Sequence, residues 1–322
     1  MRRIRWAVAA LAAVTLSLTG CAAAGSDADG KPKIAVLLYS QQFEFMVALA
    51  DGIKQKADEL GVEVTVLDAQ GDSSTQISQI QDQLAKNVDA ILLSPNNSEE
   101  LVPGVKMIHD ADKKVVTVDS VVAGDIADAA VAFNNEAAGK MGAEHLAKLI
   151  GEEGKVLEFQ GAKGAYHASL RGKGFHEGIA EFPKVAIDGR DSEWAADKAL
   201  AITVDALTAD PQIKGLFSHN DEMVRGIVSG LKQIGRTAPA DDPDHTPVVG
   251  VDGTPLALQR IRDGSEAATV DQDPYVMGSL ALQTVVDLLD DKEVEKLQLT
   301  EPKLITKDNV DDAKLWGNVF KS

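Results

Sequence analysis

Short apolar runs alternate with amphipathic stretches along most of the chain. Ile34–Leu38, Val62–Leu67, Ala90–Leu93 and Val115–Val118 are rich in aliphatic and β-branched residues, with Glu63 the one charge among them. Such runs suit strands covered on both sides of a parallel sheet. Between the first two, Met46, Leu49, Ala50, Ile53, Ala57 and Leu60 recur at helical spacing, and Gly61 supplies a stop. The alternation continues through Val131–Phe133, Val156–Phe159, Val185–Ile187, Gly215–Phe217, Val248–Val251 and Ala267–Val270. Met277, Leu280, Ala281, Thr284 and Leu288 mark a further helix. The pattern predicts a doubly wound α/β architecture. About ten strands crowd a single open sheet, so two α/β lobes are expected. No internal repeat is visible.

The first residues do not follow this rhythm. Arg2, Arg3 and Arg5 precede the uncharged apolar run Trp6–Leu18, and small residues follow. A positive head, a short apolar core and a small-residue cleavage region describe a secretory signal peptide over 1–20. The run is shorter than the roughly 20 residues that span a bilayer. Leu18-Thr19-Gly20-Cys21 resembles the lipobox of bacterial lipoproteins, which implies lipidation at Cys21. Residues 21–32 are small and polar and read as a flexible tether. The chain is therefore expected outside the cytoplasm, lipid-anchored at the outer face of the membrane.

Charge and composition narrow the function. The net charge is −18, and removing the three arginines of the signal takes it to −21. An acidic chain without a basic cluster argues against nucleic acid and against adsorption to an anionic membrane. Cys21 is the only cysteine, so no disulfide within the chain can form. Six histidines are present, but none forms an H-E-x-x-H pair, and no cysteine is left to complete a zinc site. There is no G-x-S-x-G elbow and no G-x-G-x-x-G after the first strand. The turn-forming, acidic loop Ala238–Pro247 fits no metal-binding spacing. Neither an enzyme nor a bound cofactor or metal is indicated.

Ligands of open α/β sheets bind beyond the carboxyl ends of the strands. Tyr39, Phe43, Phe45 and Met46 follow the first strand, and Asp119 and Ser120 the fourth. Later runs are followed by Gln160 and a loop reaching His167 and Arg171, then by Trp194, His219 and Asn220, Asp252, and Asp271 with Gln272. Carboxylates and amides can share hydrogen bonds with vicinal hydroxyls, and aromatic rings can cover the C–H faces of a sugar. The set suits a neutral polyhydroxylated ligand. Each residue also has a plainer reading. Asn220 and Asp252 are candidate helix caps, Phe45 and Met46 candidate core residues, and Trp194 a cover for a helix. His167 reads as a bystander.

Several segments together resemble the periplasmic sugar-binding proteins of the ribose/galactose-binding type. They are Leu67-Asp68-Ala69-Gln70, Leu93-Ser94-Pro95-Asn96, Glu158-Phe159-Gln160-Gly161, Arg171-Gly172-Lys173-Gly174-Phe175, Asn220-Asp221-Glu222-Met223 and Val248–Pro255. The resemblance implies a type I periplasmic binding protein fold, with two parallel-sheet lobes joined by a three-stranded hinge. The lobes would be 33–134 plus 273–301 and 135–272 plus 302–322. It implies a monosaccharide or polyol held between the lobes by Phe45, Met46, Trp194, Asp119, Asn220, Asp252, Gln272 and Arg171, and delivery to the permease of an ABC importer by a monomeric receptor. The alternative is a receptor that presents the bound sugar to a chemoreceptor or histidine kinase. Ser120 and Ser169 stand where ribose-type members carry arginine, and Phe43 replaces an early polar contact. These departures point away from ribose, since two rigid bidentate donors are lost.

Overall fold

The computed structural model describes residues 30–240 and 242–321. The apolar run Trp6–Leu18 and Cys21 lie outside the described residues. Among those described, no helix is long and apolar enough to cross a membrane.

The first half runs β1 (Lys33–Leu38), α1 (Glu44–Leu60), β2 (Glu63–Asp68), α2 (Ser73–Ala85), β3 (Ala90–Leu93), α3 (Val102–Asp110), β4 (Lys114–Asp119), β5 (Ala129–Phe133), α4 (Asn135–Leu149) and β6 (Glu153–Gln160). It continues through α5 (Tyr166–Ala180), β7 (Lys184–Asp191), α6 (Ala196–Ala209), β8 (Ile213–Ser218), α7 (Asp221–Gln233), β9 (Val248–Asp252), α8 (Pro255–Asp263) and β10 (Ala268–Asp271). The chain closes with α9 (Pro274–Leu289), β11 (Leu297–Thr300), β12 (Lys303–Thr306) and α10 (Trp316–Val319).

Two six-stranded sheets result, ordered β11-β5-β4-β3-β1-β2 and β12-β10-β9-β8-β6-β7. Every pairing in the first sheet is parallel. In the second, β12 pairs antiparallel with β10 at the edge, so that sheet is mixed. The chain passes between sheets three times: from β5 into α4, from β10 into α9, and from β11 into β12. Helix α9 returns to the first sheet, packing on α1, β3, β4 and β5, while α4 packs on α5, β8 and β9.

Period-2 alternation sorts β1 between two cores. Ile34, Val36 and Leu38 join α1 and α9 on one face; Ala35 and Leu37 join α2 and α3 on the other. Both faces are dry, which is why the run has no polar side. Gly61 ends α1 in the left-handed region, at φ 69°, and donates its N–H to the carbonyl of Ala57. Thr254 and Asp273 cap α8 and α9, each followed by proline at the first helical position.

Candidate functional site

The carboxyl ends of the two sheets face each other across a narrow cavity of about 30 Å³, far tighter than the ~300–1,000 Å³ of small-molecule pockets, so the lobes must part to admit a ligand. Tyr39, Phe43, Phe45 and Asp119 line it from the first sheet's side; His167, Arg171, Trp194, Asn220, Asp252 and Gln272 line it from the second sheet and the crossing after β10. Larger hollows lie beside the amino ends of β8 and β9, around Arg236 and His245. They sit at the opposite end of the sheet and gather none of the polar network below.

Two expected site residues do not reach this cavity. Met46 is the third residue of α1 and points into the core between α1 and the sheet, fully buried. Ser120 is also buried, donates its N–H to the carbonyl of Val118 at 2.8 Å and is not part of the cavity lining. Conversely His167, read as a bystander, lines the cavity.

Arg171 sits at the centre of a network that joins both lobes. Its Nε and Nη2 donate to Asn135 Oδ1 at 3.0 and 2.6 Å, and Nη2 donates to Gln272 Oε1 at 3.1 Å. Its Nη1 donates to the carbonyl of His219 and lies 3.9 Å from Asp252 Oδ1. Gln272 passes the connection on, donating from Nε2 to Asp119 Oδ1 at 2.9 Å. Most of the guanidinium is thus spent on protein acceptors, and Arg171 orients the cavity's acids as much as it could touch a ligand. The seat of Arg171 is the close approach of α4 and α5. A Cβ on Gly139 would lie 2.0 Å from the Arg171 carbonyl oxygen, and one on Gly174 would lie 1.9 Å from that of Glu136.

Behind the network, His219 is held by Glu158. Its Nε2 lies 2.8 Å from Glu158 Oε1 while Nδ1 accepts the Gly161 N–H at 3.3 Å. The proton therefore resides on Nε2 and the ring is neutral. Burial works to raise the Glu158 carboxyl, but hydrogen bonds from His219 and His176 hold it below its usual value.

Asp252 is placed by a buried neighbour. Asp221 Oδ2 accepts from Gly253 N and Thr254 N, both at 2.9 Å, and from Thr254 Oγ1 at 3.1 Å. Its Oδ1 accepts from Thr269 Oγ1 at 2.8 Å. From the C-terminal segment, Trp316 Nε1 donates to the Asp252 carbonyl at 2.8 Å, and its ring meets Phe45 edge-on at 6.4 Å. Thr254, not Asp252, caps α8, while Asp252 Oδ2 accepts the N–H of Asp221 at the start of α7 at 3.4 Å; Asn220 does cap α7, its Oδ1 accepting from Met223 N at 2.9 Å, which leaves its amide N–H groups for the cavity.

Three cavity residues hold backbone conformations that side chains rarely adopt: Asp119 at φ 67°, Trp194 at φ 64° and Asp252 at φ 135°. Each costs about 1–3 kcal/mol and persists only where surroundings over-determine it. Trp194 is clamped on two sides. Its indole lies over Gly161, where a Cβ would come within 2.1 Å, and it stacks on His167 at 4.8 Å and 23°. Across the cavity, His167 faces Tyr39 at 6.5 Å and 30°, and Tyr39 meets Phe43 at 6.2 Å.

Burial dominates the site's electrostatics. It pushes the Asp119 carboxyl up to about 6, against the pull of Arg171 and Gln272. Burial and then the Asp221 carboxylate raise Asp252 well above its usual range. His167 is driven down to about 3 by burial, Arg171 and His219, and is neutral. Tyr39 is raised by burial and then by Asp119. The cavity therefore offers carboxyl acceptors, amide donors and neutral rings in a dry setting. No side chain among them is arranged as a nucleophile with a base.

Asn135 and Trp316 escaped the sequence reading, and Asp221 entered it only among the polar residues of the segment Asn220-Asp221-Glu222-Met223. Asn135 opens α4 with nothing in its local sequence to mark its role, and Trp316 stands beyond the last apolar run.

Known proteins share this architecture. A model of the periplasmic binding protein domain matches residues 34–293. A ribose import binding protein of Escherichia coli (strain K12) is 30% identical over 297 residues, covering 92% of this chain and 97% of that relative. A xylitol-binding protein of Mycolicibacterium smegmatis is 29% identical over 310 residues, covering 95% and 86%. Among solved structures, an ABC transporter solute-binding protein from Mycobacterium smegmatis with bound glycerol matches with a TM-score of 0.82 at 30% identity, over 91% of this chain and 98% of that one. Two sheets crossed three times by the chain, a closed polar cavity between them and a family model spanning most of the sequence agree: this chain belongs to the periplasmic binding protein domain family.

Proposed function

We propose that this protein is the extracytoplasmic binding component of an ABC importer, capturing a monosaccharide or polyol between its lobes and delivering it to the permease. It is a binding protein and not an enzyme. The observation that carries this reading is the closed cavity in which Asp119, Asp252 and Asn220 present polar atoms between aromatic walls from both lobes. Vicinal hydroxyls satisfy such a set, and the rings cover C–H faces. A relative that binds xylitol and one that imports ribose support the ligand class. With Ser120 and Ser169 in place of arginine, Arg171 is the one guanidinium lining the cavity among the described residues, and Phe43 narrows the wall. Both features favour a polyol or a monosaccharide other than ribose. Ligand docks on one lobe, the other closes over it, and the closed form is what the permease reads.

The N-terminal segment extends the proposal. Arg2 to Cys21 supports export followed by lipidation at Cys21, with the binding unit held at the membrane as a monomer. Cys21→Ser should release the protein from the membrane fraction of a bacterial host.

Thermal-shift screening of pentoses, hexoses and polyols tests the ligand class. A ligand at 100 times its Kd adds about 2.7 kcal/mol of stability, a readily measured rise in Tm. If no neutral sugar or polyol raises Tm, the proposal fails.

A further inference from the structure

His167 is the cavity residue with the least explained surroundings. It occupies the position one helical turn before Arg171 on α5, so both side chains leave the same face of that helix. It is 9% exposed. Its ring is packed against Trp194 of the same lobe and faces Tyr39 of the other. Its Nδ1 is buried and has no hydrogen-bond partner among the described residues.

A core histidine is normally satisfied by a carbonyl or a carboxylate, as His219 is by Glu158 and the Gly161 N–H. His167 has nothing of that kind at Nδ1. A buried, unpaired nitrogen is costly, and it persists here in a residue that lines the cavity, where a turn of the ring as the lobes part lets an incoming molecule pair it. The charge environment fixes which form is on offer. Arg171 and His219 stand nearby and burial opposes protonation, so the imidazole is neutral and presents one donor and one acceptor. A hydroxyl can pair with a neutral ring nitrogen in either tautomer, because it both gives and takes a proton in hydrogen bonding.

We propose that His167 is a specificity-determining ligand contact, pairing Nδ1 with a hydroxyl of the bound sugar or polyol. This rests on the proposed ligand class and deepens it: the ligand must carry a hydroxyl where it meets the second lobe between Trp194 and Arg171. An analogue without that hydroxyl leaves the nitrogen unpaired and is rejected, whereas a wall of carbon alone would discriminate weakly.

The test separates ring stacking from hydrogen bonding. Calorimetry uses whichever of D-ribose, D-allose, xylitol and myo-inositol gives the largest thermal shift, on wild type, His167→Phe and His167→Asn. Phenylalanine keeps a flat ring against Trp194 and removes the nitrogen; asparagine keeps a polar partner and removes the ring. His167→Phe should lose at least 10-fold in affinity with Tm of the free protein close to wild type, and His167→Asn should recover part of the loss. The 15N resonance of His167 Nδ1 should move on saturation with the same ligand in the wild-type protein. Affinity of His167→Phe within 2-fold of wild type, or an unmoved Nδ1 resonance, overturns the assignment while leaving the sugar-binding reading intact. Failure of these four and of every other pentose, hexose and polyol in the thermal-shift screen to bind wild type removes the reading on which it rests.

Discussion

Asp221→Ala is the sharpest test of how the cavity is built, because Asp221 lies beneath the cavity and does not line it. Its carboxylate accepts hydrogen bonds from two backbone N–H groups and two threonine hydroxyls. The hydroxyls of Thr254 and Thr269 can rotate to other acceptors. The N–H groups of Gly253 and Thr254 cannot, although Gly253 N keeps a long contact to Thr269 Oγ1 at 3.3 Å. Each stranded donor costs about 1–3 kcal/mol. Against this, removing a buried acid that burial has already pushed up to about 6 recovers part of its desolvation cost. The balance is a loss of about 2–4 kcal/mol in unfolding free energy. Without those bonds the 252–254 turn relaxes, and Asp252 leaves φ 135°, the conformation that aims it at the cavity. Ligand affinity should then fall about 10- to 100-fold, or roughly 1.4–2.8 kcal/mol. Urea denaturation gives the first quantity and calorimetry with the best-binding sugar the second. Asp252→Asn is the companion: it should weaken binding with little loss of stability. Wild-type affinity in Asp221→Ala would refute the claim that Asp221 positions Asp252.

Three further outcomes are expected. Arg171→Met removes the link between Asn135, Gln272 and Asp119 and leaves two buried acids without their counter-charge; ligand affinity should drop more than 100-fold, read by calorimetry, and the Asp119 carboxyl should titrate above its wild-type value of about 6. Gly161→Ala puts a methyl where the Trp194 indole lies, at a cost of about 1–3 kcal/mol; tryptophan fluorescence should change and affinity fall, and an unchanged spectrum would argue against the clamp. Asp271 is pushed up to about 7 by burial and by Asp273, above the ordinary 3.8, so the native state favours its protonated form. Its contribution to stability is full below about 4 and is lost as pH rises through about 7. Tm of the ligand-free protein should therefore fall between pH 5 and 8 on its account, and Asp271→Asn should flatten that decline.

The strands buried on both faces were legible because nothing polar interrupts them, as in β1, β3 and β9. Strands β11 and β12 were not. Leu297–Thr300 and Lys303–Thr306 are four-residue edge strands, and Leu297 and Leu299 remain substantially exposed. Their sequences carry neither an uninterrupted apolar run nor a bounding turn motif, so no local signal marks them. At the cavity, position after a strand was enough to pick out Asp119, Asn220, Asp252 and Gln272 as candidates, and the structure brings them together. That rule cannot tell Met46 from Phe45, because adjacent residues on a helix differ by about 100° in direction and only tertiary packing says which faces the core. It also says nothing of what Asp221 and Trp316 do, because their roles are hydrogen bonds to backbone that is distant in sequence.

The threefold crossing also sets an order of assembly. Strand β11 completes the edge of the first sheet by pairing with β5, and Asn134 meets Glu301 across 167 residues of chain. The first lobe opens the sequence yet cannot close until nearly all of the second has been made. Its contacts are far apart along the chain, which slows folding and keeps the edge of β5 uncovered while synthesis proceeds. A chain cut anywhere before Leu297 would lose an edge from both sheets at once, so neither lobe can be produced whole by simple truncation; dissecting them requires grafting α9 and β11 directly after β5.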